Sequence, residues 1–120
     1  MLNWMTRVLW ALAALVALAE ASDVSGTWRF TVQTEAGAGN PTFVFKQEGE
    51  KLTGTYSGLF GEAEVSGWVK GDRIEFEFTV SYEGQSIRCR YSGRIESPTQ
   101  MKGTVEFGNV GSGSWTAVKK

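Results

Sequence analysis

One five-residue pattern occurs four times in this chain: Leu52-Thr53-Gly54-Thr55-Tyr56, Val65-Ser66-Gly67-Trp68-Val69, Tyr91-Ser92-Gly93-Arg94-Ile95 and Met101-Lys102-Gly103-Thr104-Val105. Each places apolar residues at both ends and glycine between them, a period of two with glycine at the middle inward position. Glycine inside a strand weakens a flat sheet and marks a sharp bend or the corner of a barrel. Four such segments, joined by short turns, predict a sheet that curls on itself. The repeated glycine leaves two readings open, spare interior volume or strong coiling.

The pattern extends into eight β-like runs: Ser25 to Thr34, Thr42 to Glu48, Lys51 to Ser57, Glu62 to Lys70, Arg73 to Tyr82, Gln85 to Ile95, Gln100 to Phe107 and Ser114 to Lys119. No segment carries a helical period. Glu35 to Pro41 reads as a loop, and Gly49-Glu50, Gly71-Asp72 and Glu83-Gly84 read as tight turns. The predicted fold is all-β, an antiparallel up-and-down eight-stranded barrel, with the last run paired to the first so that no edge is left open.

A two-residue turn at Glu83-Gly84 fixes the register of its hairpin. Val80 then faces Ile87, Phe78 faces Cys89, Phe76 faces Tyr91 and Ile74 faces Gly93, all inward. On the outer face Glu77 meets Arg90, and a three-residue loop at Ser97 to Thr99 brings Glu106 to the other side of Arg90. A slip of one residue would bury these charges. Arg73 opposite Arg94 is the one pairing that opposes the scheme.

The first 21 residues have a different character. A lone Arg7 precedes the apolar run Val8 to Ala19, and Ala19-Glu20-Ala21 offers a small-x-small cleavage site. The run is shorter than the ~20 residues of a spanning helix. The expectation is a signal peptide over 1–21, a single barrel domain over 22–120, export to the periplasm or beyond the cell, and no membrane span once the signal is removed.

Composition narrows the chemistry. The 120 residues contain one cysteine, Cys89, and no histidine. An intrachain disulfide, Ser-His or Cys-His nucleophile pairs and His-bound metals are therefore ruled out. Twelve basic and thirteen acidic residues, with no basic run, give no case for nucleic acid. Glu62/Glu64 and Glu75/Glu77 alternate outward on their runs, which gives neither a catalytic pair nor calcium-loop spacing. The expectation is a protein that is not an enzyme and uses no cofactor or metal.

Inward residues are the candidates for a binding site: Tyr56, Tyr91, Trp28, Trp115, Phe43 and Phe76, around a small apolar ligand. Gln47 and Tyr82 add polar atoms to the inner face. Leu59-Phe60, two large apolar residues in a Gly-flanked loop, are candidates for a gate or a partner contact. So is Trp68, which the period points outward, as is the N-terminal segment Ser22 to Ser25. A protein partner or a homo-oligomer is the second reading of the exposed set.

Gly26-Thr27-Trp28 resembles the Gly-x-Trp that opens the first strand of lipocalins and avidin-like proteins, the calycin group. Leu52 to Tyr56 is similar to the third strand of avidin-like proteins, where the tyrosine lies in the biotin pocket, and Trp115 sits near the start of the last strand. The resemblance implies a ligand-binding barrel with Tyr56 in its pocket. The later pocket tryptophans are absent, since the corresponding runs hold Phe76, Phe78, Tyr91 and Phe107. The chain also resembles small periplasmic barrel inhibitors of metalloproteases, which implies a protease-binding role, although those carry a disulfide that Cys89 alone cannot form.

Overall fold

The computed structural model describes residues 23–120; the proposed signal peptide lies outside the described residues. The strands are β1 (Gly26–Thr34), β2 (Gly37–Gly39), β3 (Thr42–Glu48), β4 (Lys51–Gly58), β5 (Gly61–Lys70), β6 (Arg73–Tyr82), β7 (Gln85–Ser97), β8 (Gln100–Phe107) and β9 (Gly111–Lys119). Every neighbouring pair is antiparallel, in the order β2-β1-β3-β4-β5-β6-β7-β8-β9, and β1 pairs with β9 to close the sheet. β2 and β3 share one edge of β1, so the closed barrel has eight positions.

The register follows the period of two. Phe76 lies opposite Tyr91, Phe78 opposite Cys89 and Val80 opposite Ile87. Arg90 stands between Glu77 and Glu106. Its guanidinium turns to Glu77, 3.8 Å away, and Arg88 shares that carboxylate at 3.6 Å. Arg73 does face Arg94, and Asp72, 3.5 Å from Arg94, relieves the like charges.

Several boundaries differ from the sequence reading, among them the last strand, which begins at Gly111 rather than Ser114. Glu35 to Pro41 is mostly not a loop: Glu35-Ala36 forms a turn, and Gly37–Gly39 pairs with Val32 to Thr34. The Thr34 hydroxyl stabilises that turn, donating to the Gly37 carbonyl and accepting the Ala36 N–H. Pro41 breaks the strand, and its carbonyl accepts the Phe30 N–H. The hairpin between β7 and β8 closes with Ser97 opposite Gln100, and the odd residue is absorbed by a bulge between Ile95 and Ser97.

The inward glycines serve close approach rather than spare volume. A Cβ on Gly54 would meet the Val44 carbonyl oxygen, and one on Gly67 would lie 2.6 Å from the Phe76 Cα. Gly93 and Gly103 face each other, and a Cβ on Gly103 would come within 2.6 Å of the Gly93 Cα. The sheet coils tightly at these positions, and the interior it encloses is narrow.

Aromatic rings fill that interior. Phe30 packs against Phe43 and Trp115 at centroid distances of 4.4 and 4.8 Å, and Phe76 stacks on Tyr91 at 4.9 Å. Phe45, Leu52, Ile74, Met101 and Val105 complete a continuous core.

Candidate functional site

The two ends of the barrel are built differently. At the first, Val24 is buried although it precedes β1. Its carbonyl accepts the Trp28 indole N–H at 2.8 Å, and its own N–H donates to Gln47 Oε1 at 2.9 Å. The Gln47 backbone N–H donates to the Ser25 hydroxyl, and its Nε2 donates to the Gly49 carbonyl. The Lys119 ammonium lies 6.0 Å from the Trp28 ring. This end is sealed, so the expectation that residues up to Ser25 offer a free contact segment fails at Val24. A buried indole needs an acceptor, and the residue four positions upstream supplies it.

The second end is formed by four hairpin tips: Glu35-Ala36, Leu59-Phe60, Glu83-Gly84 and Gly108 to Val110. Here Leu59 is 88% exposed, Val110 73%, Tyr82 49% and Phe60 36%. The other exposed large apolar residues among the described ones, Val44 and Val118, lie on the outer wall. A loop tip this apolar is unusual unless something covers it.

Beneath the rim, Tyr56 stacks flat on Phe78, with centroids 4.4 Å apart and planes 17° apart. Its hydroxyl reaches up to the Leu59-Phe60 turn and accepts a long bond from the Phe60 N–H, 3.5 Å. Gly58 makes room for it, since a Cβ there would lie 2.6 Å from the Tyr56 hydroxyl. Phe60 meets Tyr82 edge to face at 5.4 Å, so two adjacent tips touch across the rim. Partly buried Ile87, Phe107 and Ala63 lie between the rim and the core.

Three weak acids lie at and below this end. Burial pushes the Cys89 thiol up to about 11. Burial also raises the Tyr56 phenol, against a smaller opposing effect of the Phe60 N–H. Tyr91 is raised further, first by burial and then by the neighbouring Cys89 and Tyr56. All three stay protonated at neutral pH, so the hydroxyls are available as donors and Cys89 is not an activated thiolate.

The six inward candidates come together, but as packing partners. Trp28, Phe43, Phe76, Tyr91, Tyr56 and Trp115 are each no more than 4% exposed, and among themselves and with Phe30 they fill the space a ligand would need. Only Tyr56 borders one of two open hollows, of about 660 and 350 Å³, and both lie on the outer wall of β3 to β5. The gate candidates separate. Leu59 and Phe60 stand at the open end, whereas Trp68 lies outside near the other end of β5, half-buried with Lys70 5.1 Å from its ring. Sequence reasoning missed Tyr82 and Val110 as rim residues. Their signal was present: both are large apolar or aromatic residues beside a glycine-containing turn.

Glu62 and Glu64 are exposed on the outer face, as their alternation required. Among the described residues no cluster of three or more candidate ligands could hold a metal ion. No helix of the described residues is long and apolar enough to cross a membrane, a statement that does not bear on barrels.

No protein-family description matches the chain, and no curated protein does. Solved structures do match. One redesigned β-barrel is 19% identical with a TM-score of 0.65, covering 81% of this chain and 90% of its own. Two others, mFAP1 and mFAP0, were solved bound to DFHBI. They are 20% and 19% identical, with TM-scores of 0.60 and 0.58, over 81% of this chain and 94% and 98% of theirs. At these identities the likeness establishes the eight-stranded barrel fold.

Proposed function

We propose that this protein is an exported, non-catalytic binding barrel that takes a small apolar ligand at the end bearing Leu59, Phe60, Tyr82 and Val110. The observation that carries this reading is the contrast between the ends, one sealed by Val24 on Trp28 and the other leaving four large side chains in water. Because aromatic side chains pack the core, the reading puts the ligand across the rim, above the Tyr56–Phe78 stack, rather than deep in the barrel. That two barrels of this fold bind DFHBI supports the reading as analogy only. Calycin-like membership and export stay part of the proposal, resting on Gly26-Thr27-Trp28 and on the residues before Ser22.

Burying an exposed Leu or Phe is worth about 1.5–3 kcal/mol each. Two such residues contribute about 3–6 kcal/mol toward binding before association costs are met. The test is a fluorescence titration with Nile red, a neutral apolar dye. The wild type should bind saturably, and Leu59→Ser/Phe60→Ser should lose at least about tenfold in affinity, as about 1.4 kcal/mol requires. Saturable binding that is unchanged in the double variant would place the site elsewhere.

The alternative reading is a protein-binding module such as a protease inhibitor. The 88% exposure of Leu59 favours it, because a projecting side chain suits a partner's pocket. It predicts no Nile red binding and capture of a protease that the double variant does not capture.

A further inference from the structure

We propose that the ligand taken at the open end is a cationic amphiphile, an apolar body bearing an ammonium or guanidinium group. This rests on the open end being the binding site. Two independent features of that end point to it, its unneutralised charge and its exposed aromatic pair.

The four hairpin tips of the open end carry Glu35, Glu62 and Glu83, and the cation nearest them in register is Arg88, whose carbonyl accepts the Gly108 N–H and whose side chain lies 3.6 Å from Glu77. None of these three carboxylates takes part in an ion pair among the described residues, and Glu106, lower on β8, faces Arg90. The cations are used elsewhere: Arg88 and Arg90 on Glu77, Lys46 on Glu48, Arg94 on Asp72 and Lys102 on Glu96. At the sealed end five carboxylates, among them Glu48, Asp72 and Glu96, stand beside seven lysines and arginines, so its balance leans positive. The barrel is thus polarised along its axis, and an apolar rim sits in the negative half. Such a field raises the local concentration of cations and repels anions.

The second feature is the Phe60–Tyr82 pair. Both rings are partly in water, held edge to face at 5.4 Å, so aromatic surface is exposed at the rim. An aromatic face attracts an ammonium or guanidinium within about 6 Å of its centroid. Apolar side chains for the body, an aromatic face for the cation and surrounding carboxylates give each part of a cationic amphiphile a place. An anionic amphiphile would place its charge near Glu35, Glu62 and Glu83.

The test is calorimetric titration of the mature protein with three ligands of one chain length, decyltrimethylammonium, decyl glucoside and decyl sulfate, each kept below its micelle-forming concentration. The expected order is cation, then neutral, then anion. The preference of cation over neutral should be about five-fold at 0.01 M salt and vanish near 1 M, as the screening length falls from about 30 Å to about 3 Å. The variant Glu35→Gln/Glu62→Gln/Glu83→Asn should abolish the preference and leave decyl glucoside binding unchanged. Its positions are exposed, and asparagine suits the left-handed backbone at Glu83, φ 50°. Equal binding of all three, or preference for decyl sulfate, would overturn the charge assignment while leaving the open end as the site. Binding of none, or binding unaffected by Leu59→Ser/Phe60→Ser, would overturn the site and this inference together.

Discussion

Trp115 lies across Gly93. A Cβ on Gly93 would stand 2.8 Å from the Trp115 Cη2 and closer still to the Lys102 carbonyl on β8. The indole N–H donates to the Thr104 carbonyl at 2.8 Å, so the ring is held flat over the tightest part of the coiled sheet. Gly93 and Trp115 together set how narrow the barrel is, one by having no side chain and the other by covering the gap. Gly93→Ala forces either a backbone or the indole to move, which should cost at least about 2 kcal/mol. Gly39→Ala has open space and an ordinary backbone, and should change stability by less than about 0.5 kcal/mol. Urea unfolding of the two variants checks the contrast, and equal effects would refute the close-approach account.

The seal at the other end makes its own prediction. Trp28→Phe keeps an aromatic ring but leaves the buried Val24 carbonyl without its donor, at a cost of about 1–3 kcal/mol. Val24→Ala removes two methyl groups from the core and should cost about 1–2 kcal/mol. Because both act on one contact, the double variant should cost less than the sum of the singles. Strict additivity in thermal unfolding would show that Val24 and Trp28 do not act as one unit.

Alkaline pH should destabilise the protein from about pH 9 upward. Cys89, with an ordinary value of 9.0, is pushed up to about 11 by burial, and Tyr56 and Tyr91 are raised in the same direction. The folded state thus holds protons that the unfolded state releases. Stability is fully present below the unfolded value and is lost as pH rises toward the folded one. The urea midpoint should fall between pH 9 and 11, and less steeply in Cys89→Ala. At pH 8 the wild-type thiol should stay unreactive to Ellman's reagent until denaturant is added. Rapid labelling of the folded protein would contradict its burial.

The rim is separable from stability. Leu59→Ser should be nearly neutral, within about 0.5 kcal/mol, because Leu59 makes little buried contact. Phe60→Ser forfeits the edge-to-face contact with Tyr82, about 0.5–1.5 kcal/mol, and some covered area. Thermal melts of the two singles distinguish them. A large loss from Leu59→Ser would mean that this tip supports the fold.

Strand order and register are legible in the sequence because inward and outward residues alternate from Arg73 to Val80 and from Ile87 to Tyr91. Phe78 opposite Cys89 follows from one turn and counting. Val24 was not readable, because a single residue before a strand has no period. β2 was not, because Gly37-Ala38-Gly39 carries no alternation. The site was readable only in part. Leu59-Phe60 stands out by composition, but a roster of inward aromatics does not say whether they line a cavity or fill it. That depends on how tightly the sheet coils, which the backbone contacts at Gly54, Gly67, Gly93 and Gly103 decide.

The most direct test of the account is a methyl-resolved NMR titration of the mature protein with decyltrimethylammonium. The account predicts shifts concentrated at Leu59, Val110, Ile87 and Ala63, with Val24, Val69 and Met101 unmoved. Shifts centred on Val24 and the Trp28 end, or on Val44 at the outer wall, would contradict it.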